Sequence, residues 1–268
     1  MPVRSPAVAG RFYPADPGEL EREIGSCLGA GAGRKEPAVA VVVPHAGYVY
    51  SGSIAGATFS RVSAPDRAVV IGPNHTGRGA RRSLFASGSW DLPGGGLRID
   101  SELAERLLAG TALEPDAEAH RLEHSIEMEL PFLRALARDM PFVPICLARL
   151  TLAECRELGK NVARVVEKST GRTLVVASTD MSHYLPADAA RELDLRAIER
   201  VQNLDPEGLY RVVTELDISM CGFVPTTVTL FAARALGATR ASLVRYGHSG
   251  ERSGDFTRVV GYAGFVLS

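Results

Sequence analysis

The chain has 268 residues, 46% hydrophobic and 23% charged, which suits one large α/β body with a sizeable core. Its 30 Lys and Arg balance 31 Asp and Glu, and a net charge of -1 argues against a general nucleic-acid or anionic-membrane binder. No apolar run reaches the roughly 18 residues that a membrane span needs.

The first twenty residues carry a short apolar run broken by Pro and Arg, so they do not read as a signal peptide. Asp16-Pro17 pairs a capping carboxylate with proline in a first turn and opens a helix. Residues 38–44 and 68–72 are continuous Val/Ile/Ala runs, the pattern of strands buried on both faces. Residues 83–92 read as a shorter, more exposed strand or hairpin. The Gly94-Gly95-Gly96 loop after them lacks the Lys-Ser/Thr ending and following helix of a phosphate loop. Residues 122–139 have helical spacing, with Pro131 kinking or dividing them. A strand over 141–147 follows, then a capping box, Thr151 to Glu154, opening a helix that runs to Lys168. Beyond it come a strand over 173–178 and a helix over 187–202. Asp205-Pro206 starts another helix, and a last one runs from near Cys221 to Gly237 with Pro225 in its first turn. Strands over 241–246 and 259–267 close the chain. The alternation predicts one domain over 1–268: a mixed or mostly parallel sheet with helices on both faces.

His45, His75 and His183 each fall just beyond one of these strand runs. In open α/β sheets ligands bind outside the carboxyl ends of the strands, where neighbouring strand ends are about 5 Å apart. Three imidazoles at three such ends can share one ion or one substrate. Asp180 and His183 form a D-x-x-H pair, in which the carboxylate either orients a general acid/base or caps its own turn. Cys221 opens a helix, a position that favours the thiolate, which is both nucleophile and metal ligand. Cys27, Cys146 and Cys155 lie within predicted helices or a strand and read as buried apolar residues. With no C-x-x-C pair, the four cysteines point to a reducing cytoplasm. His124 has Glu123 and Glu127 beside it, but Met128 occupies the place where a zincin helix needs its second histidine. His124 with Glu127 therefore lines the cleft or belongs to a capped first turn. His120 reads as a surface residue and His248 as part of a mobile rim.

The blocks AGRFYPADP, PHAGYVYSG, GPNHTG, EHSIEMELPFL, STDMSHY, MCGFVP and GDFTRVVGYAGF together resemble the Memo family, in that family's order and over nearly the whole chain. The family is also labelled protein B of the AmmeMemoRadiSam system. The resemblance implies a fold like that of class III extradiol dioxygenases. It places His45 and His75 at the two histidine ligands of their non-heme iron, and His183, after Asp180, at their acid/base histidine. Cys221 then stands where those enzymes have a carboxylate ligand, a softer set that suits copper or zinc as well as Fe(II).

The leading expectation is a mononuclear iron or copper centre carrying out redox or oxygen chemistry on a small molecule. His183 is its acid/base group, and Tyr48, Tyr50, Asn74 and His124 are its substrate contacts. A second expectation is a non-catalytic cleft for a peptide or protein, acting with the radical-SAM and AMMECR-type proteins that the family label implies. A third, with Cys221 as nucleophile and His183 as base, leaves His45 and His75 without a role.

Overall fold

The computed structural model describes residues 2–29, 31 and 34–268. A nine-stranded mixed sheet runs through the molecule. At its centre four parallel strands lie in the spatial order Ala40–Val43, Thr173–Ser178, Arg67–Pro73 and Phe142–Leu147. These are the uninterrupted apolar runs of the sequence, and nearly every residue in them is buried. Each Val or Ile so buried contributes about 1.5–3 kcal/mol of hydrophobic stabilisation. Antiparallel strands finish both sides. Val259–Leu267 pairs with Ala40–Val43, and Ala241–His248 and His183–Leu185 both pair with Val259–Leu267. On the far side Arg82–Leu84 runs antiparallel to Phe142–Leu147.

Two groups of helices flank the sheet. Phe223–Ala235 lies on Thr173–Ser178 and Arg67–Pro73, and is covered by Leu152–Glu167 and Pro206–Glu215. Tyr48–Phe59 lies on the Ala40–Val43, Ala241–His248 and Val259–Leu267 strands, and is covered by Pro17–Gly29. The last two helices cross at Gly56, where any Cβ would run into the Cys27 backbone. Local capping chemistry starts the helices where expected. Asp16 Oδ1 accepts the Glu19 N–H, Asp205 Oδ1 accepts the Gly208 N–H, and Thr151 and Glu154 close their capping box.

Three expectations need correction. Residues 83–92 do not form a hairpin. Arg82–Leu84 joins the main sheet, whereas Ser89–Trp90 joins a small separate sheet with Val3–Arg4 and Leu97–Arg98. Residues 122–139 do not form one helix. A 3-10 turn, Glu127–Glu129, leads into the short helix Leu130–Leu136, and Pro131 sits in its first turn, where a missing N–H is harmless. His120 is fully buried, edge-on to Phe85 and Trp90, and burial together with the nearby Arg4 charge lowers its imidazole to about 3.

The irregular 120–129 segment is bound to the start of the chain. Arg4 Nε donates to the His120 carbonyl at 2.7 Å, its Nη1 to Glu127 Oε2 at 2.7 Å, and its guanidinium lies over the Trp90 ring. Glu127 also accepts the Ala7 and Val8 N–H groups and the Tyr13 hydroxyl. A buried ion pair thus pins residues 4–13 against the segment that carries Glu123 and His124.

Candidate metal centre

Because the central strands are parallel and in register, with Val43 beside Ser178 and Ile71 beside Ala177, their carboxyl ends emerge along one edge. His45 follows the first of them, Thr179 and Asp180 the second, and His75 the third. Cys221 arrives from elsewhere, in the turn just before helix Phe223–Ala235. Gly222 allows that turn to sit against the strand end: a Cβ there would run into the Ser178 carbonyl oxygen and the Thr179 side chain.

One donor atom each from His45, His75 and Cys221 can be chosen so that all lie within 4.8 Å of one another. His45 Nε2 and Cys221 Sγ are 3.3 Å apart. An ion about 2.0–2.3 Å from nitrogen and sulfur donors needs them roughly 3.5 Å apart, so small side-chain adjustments close the set. The two imidazoles are backed differently. His75 Nδ1 lies 2.9 Å from Glu123 Oε1, and the His75 N–H donates to Glu123 Oε2 at 2.6 Å. A carboxylate only accepts, so Nδ1 carries the proton and Nε2 keeps its lone pair for a ligand. His45 is buried, with its Nδ1 2.7 Å from Ser178 Oγ and its N–H on Asp180 Oδ1 at 2.9 Å.

Charges follow from these contacts. Burial by itself would raise the Glu123 carboxyl, but hydrogen bonds from His124 and His75 hold it well below the usual range. For His75 burial pulls the imidazole down, and the Glu123 hydrogen bond and charge more than offset it, so the group titrates above its ordinary value. His45 is pushed down, first by burial and then by the His124 and His75 imidazoles. Burial, reinforced by Asp180, pushes the Cys221 thiol up. Burial thus works against the thiolate that a helix start favours. Its nearest imidazole is the buried His45 and not His183, which leaves the cysteine-nucleophile reading without its base.

A cleft of about 590 Å³ opens over this edge, bounded by the 10–15 loop, Ala46, Gly47, Tyr50, His124, Asp180, His183 and Tyr184. The His183 N–H and Nδ1 both bind Ser219, at 2.8 Å to its Oγ and 2.9 Å to its carbonyl oxygen. A carbonyl only accepts, so the proton is on Nδ1 and Nε2 is left free. Ser219, not Asp180, orients His183. Asp180 lies buried beneath, where desolvation raises its carboxyl against the pull of His183 and of the His45 N–H. Tyr184 holds a left-handed backbone, φ 61°, and its exposed ring stands at the cleft mouth with Arg258 over it.

The expected substrate contacts divide. Tyr50 and His124 line the cleft. Tyr48 does not: it is buried against Tyr13 and Phe132, and its hydroxyl donates to the Met128 carbonyl. Asn74 does not either, because its amide closes its own turn by accepting from Thr76 and Gly77 and donating to the Arg78 carbonyl. Glu127 holds the N-terminal segment and leaves Glu123 as the acid beside His124. Glu123, Ser178 and Ser219 were not singled out by sequence. A carboxylate directly before His124 was the only visible hint of any of them.

The comparisons agree with this architecture. The family profile described as "Memo-like protein" matches residues 4–266, and the chain belongs to that family. A MEMO1 family protein of Methanopyrus kandleri is 42% identical, with 98% of each chain covered. One from Methanosarcina barkeri is 42% identical over 99% of this chain and all of its own, and one from Aquifex aeolicus is 39% identical over both full lengths. Among solved structures, the uncharacterized protein JW3007 of Escherichia coli K12 superposes with a TM-score of 0.53, covering 84% of this chain and 98% of its own. At 17% identity that likeness concerns the fold alone.

Proposed function

We propose that the chain holds one redox-active metal ion, iron or copper, on His45, His75 and Cys221, and transforms a small molecule bound in the adjoining cleft. One observation carries this reading: two imidazoles and a thiol from three distant parts of the chain converge beside a cleft, and the His75 Nδ1 proton is held by Glu123 so that Nε2 keeps its lone pair. The donor set fits the group, because imidazole suits iron and copper and a thiolate favours copper or zinc over magnesium or calcium. When bound, the ion supplies a Lewis-acidic and electron-transferring centre for substrate or oxygen. His183 accepts or delivers a proton through Nε2, since Ser219 fixes its other nitrogen. Asp180 holds the His45 main chain in place by accepting its N–H. Tyr50 and Tyr184 at the mouth shield the floor and offer aromatic contact to the substrate.

The test is elemental analysis of protein purified anaerobically without chelator, comparing wild type with Cys221→Ser. Near-stoichiometric iron or copper in the first and its loss in the folded variant are expected. No metal in the wild type, and none taken up when Fe(II), Cu(I) or Zn(II) is offered, refutes the reading. Stoichiometric zinc alone refutes the redox part.

The open mouth, with Val49 61% and Tyr184 64% exposed, favours one second reading: the cleft captures a peptide segment of a partner, with the radical-SAM and AMMECR-type proteins of the same system as candidates. Peptide binding that survives His45→Ala in metal-free protein would support it.

A further inference from the structure

Ser178, at the end of the strand between those leading to His45 and His75, has three partners and only one proton. Its Oγ lies 2.7 Å from His45 Nδ1, 2.7 Å from the Ser125 carbonyl oxygen and 2.8 Å from Glu129 Oε1. All of these groups are buried. A hydroxyl gives one proton and accepts on two lone pairs. The Ser125 carbonyl can only accept, so it takes the Ser178 proton. Both remaining partners must then donate: His45 through Nδ1–H and Glu129 through a carboxyl O–H.

We infer that Glu129 is a neutral carboxylic acid, a positioning residue that donates to Ser178, leaves that hydroxyl's proton to the Ser125 carbonyl and holds its oxygen where it accepts from His45 Nδ1–H. The alternative, an ionised Glu129, places two acceptors in competition for the single Ser178 proton and leaves one of them unpaired inside the protein. It would also leave an unpaired charged oxygen, because Glu129 Oε2 has no hydrogen-bond partner. Among the described residues, no Lys, Arg or His forms an ion pair with Glu129. The charged group that acts on it is Asp180, which is anionic when ionised, and the neighbouring Tyr48 hydroxyl is spent on the Met128 carbonyl. Burial and the Asp180 charge both push the Glu129 carboxyl upward, with only the Ser178 contact opposing them.

The consequence is an asymmetric support. His75 is backed by an ionised carboxylate and donates strongly to a bound ion. His45 is backed by a neutral relay, Glu129 to Ser178 to the Ser125 carbonyl, that fixes its tautomer without adding a second negative charge. The protonation assignment stands on hydrogen-bond geometry alone; only its effect on metal affinity rests on the function proposed above.

The test begins with metal-free protein at neutral pH. Infrared spectroscopy should show the carbonyl stretch of a buried protonated carboxyl, absent in Glu129→Gln and shifted in Ser178→Ala, which removes its acceptor. Nitrogen NMR should show His45 as the Nδ1–H tautomer in wild type and Glu129→Gln, and as a mixture in Ser178→Ala, which removes the acceptor of that proton. In metal titrations, Glu129→Gln, whose amide still donates, should bind Zn(II) within about threefold of wild type, while Glu129→Leu should weaken it about 10–100-fold, the usual effect of removing an outer-sphere partner. Absence of the carboxyl band in wild type overturns the assignment, as does a Glu129→Gln variant that binds metal as poorly as Glu129→Leu. If Glu129→Gln does not fold, the band in wild type carrying carbon-13 glutamate decides by itself. Protein that takes up no metal refutes the proposed function and leaves the infrared and tautomer results to judge Glu129.

Discussion

Replacing Glu123 with Gln removes a charge from the most densely hydrogen-bonded carboxylate at the site. Its Oε1 accepts from His75 Nδ1 and from the His124 and Ser125 N–H groups, each at 2.9 Å, and its Oε2 accepts from the His75 N–H at 2.6 Å. An amide has one accepting and one donating end. Turned the better way, its oxygen keeps the three contacts at Oε1 while its NH2 meets the His75 N–H head-on. Loss of one hydrogen bond to a charged group, about 1.5–3 kcal/mol, plus a donor left unpaired in the interior, gives a destabilisation of about 3 kcal/mol. At roughly 2–4 °C per kcal/mol for a chain of this size, melting should fall by about 6–12 °C.

The pH dependence of that gap has a definite sign. Glu123 titrates below the ordinary carboxylate value, so its stabilisation is present above about pH 4.3 and is lost as pH falls through the folded value. His75 titrates above the ordinary imidazole value, so its stabilisation is full below about pH 6.5 and is lost as pH rises through the folded value. Calorimetric melting of metal-free wild type and variant should therefore differ most near pH 5–6, with the difference shrinking on either side. A variant within about 0.5 kcal/mol of wild type at pH 6, the scatter of inconsequential surface changes, refutes the structural role given to Glu123.

Other perturbations test other parts of the frame. Cys221→Ser should lower metal affinity by at least tenfold in a chelator competition and leave the melting of metal-free protein nearly unchanged, since a hydroxyl can take over the Sγ contacts with the Asp180 N–H and His45 Nε2. Arg4→Met should leave Glu127 buried without its partner and cost about 3–5 kcal/mol in urea unfolding. Gly222→Ala should drive the Cys221 turn away from the Ser178 carbonyl, costing about 1–3 kcal/mol by overpacking and weakening metal uptake at the same time. Ser219→Ala should leave metal content unchanged and keep the Nδ1–H tautomer of His183 in NMR spectra, because the ring bonds the Ser219 main-chain carbonyl and only the His183 main-chain N–H loses its acceptor.

Elements whose causes are local could be read from sequence. The central strands announce themselves because burial on both faces demands an unbroken apolar run, and the Thr151 and Asp205 caps because their partners lie within three residues. The 122–139 stretch could not be read that way. Its helical spacing is overridden between Leu122 and Ile126, where the backbone N–H groups of His124 and Ser125 turn to the Glu123 carboxylate and Ser125 Oγ reaches the Pro73 carbonyl. His45, His75 and Cys221 were visible as strand-end or helix-start residues that match a family pattern. Their supporting partners were not, since Ser178 meets Glu129 across 49 residues and His75 meets Glu123 across 48. Tyr48 and Asn74 show the opposite error: adjacency in sequence to a site residue says nothing about which way a side chain leaves the backbone.

The two histidine-bearing strands are not neighbours. Strand Thr173–Ser178 lies between them, hydrogen-bonded on both sides. Adjacent strands are spaced about 4.8 Å apart, so the strands leading to His45 and His75 are mounted roughly 9.6 Å apart on a rigid gauge of main-chain hydrogen bonds. Under the proposed function an ion would meet two imidazoles rooted just beyond that ladder, their ring centroids 5.2 Å apart. Cys221, the third donor of the proposed centre, is carried by a helix turn away from the sheet, so under that proposal travel of the sulfur would widen the range of ion sizes accepted.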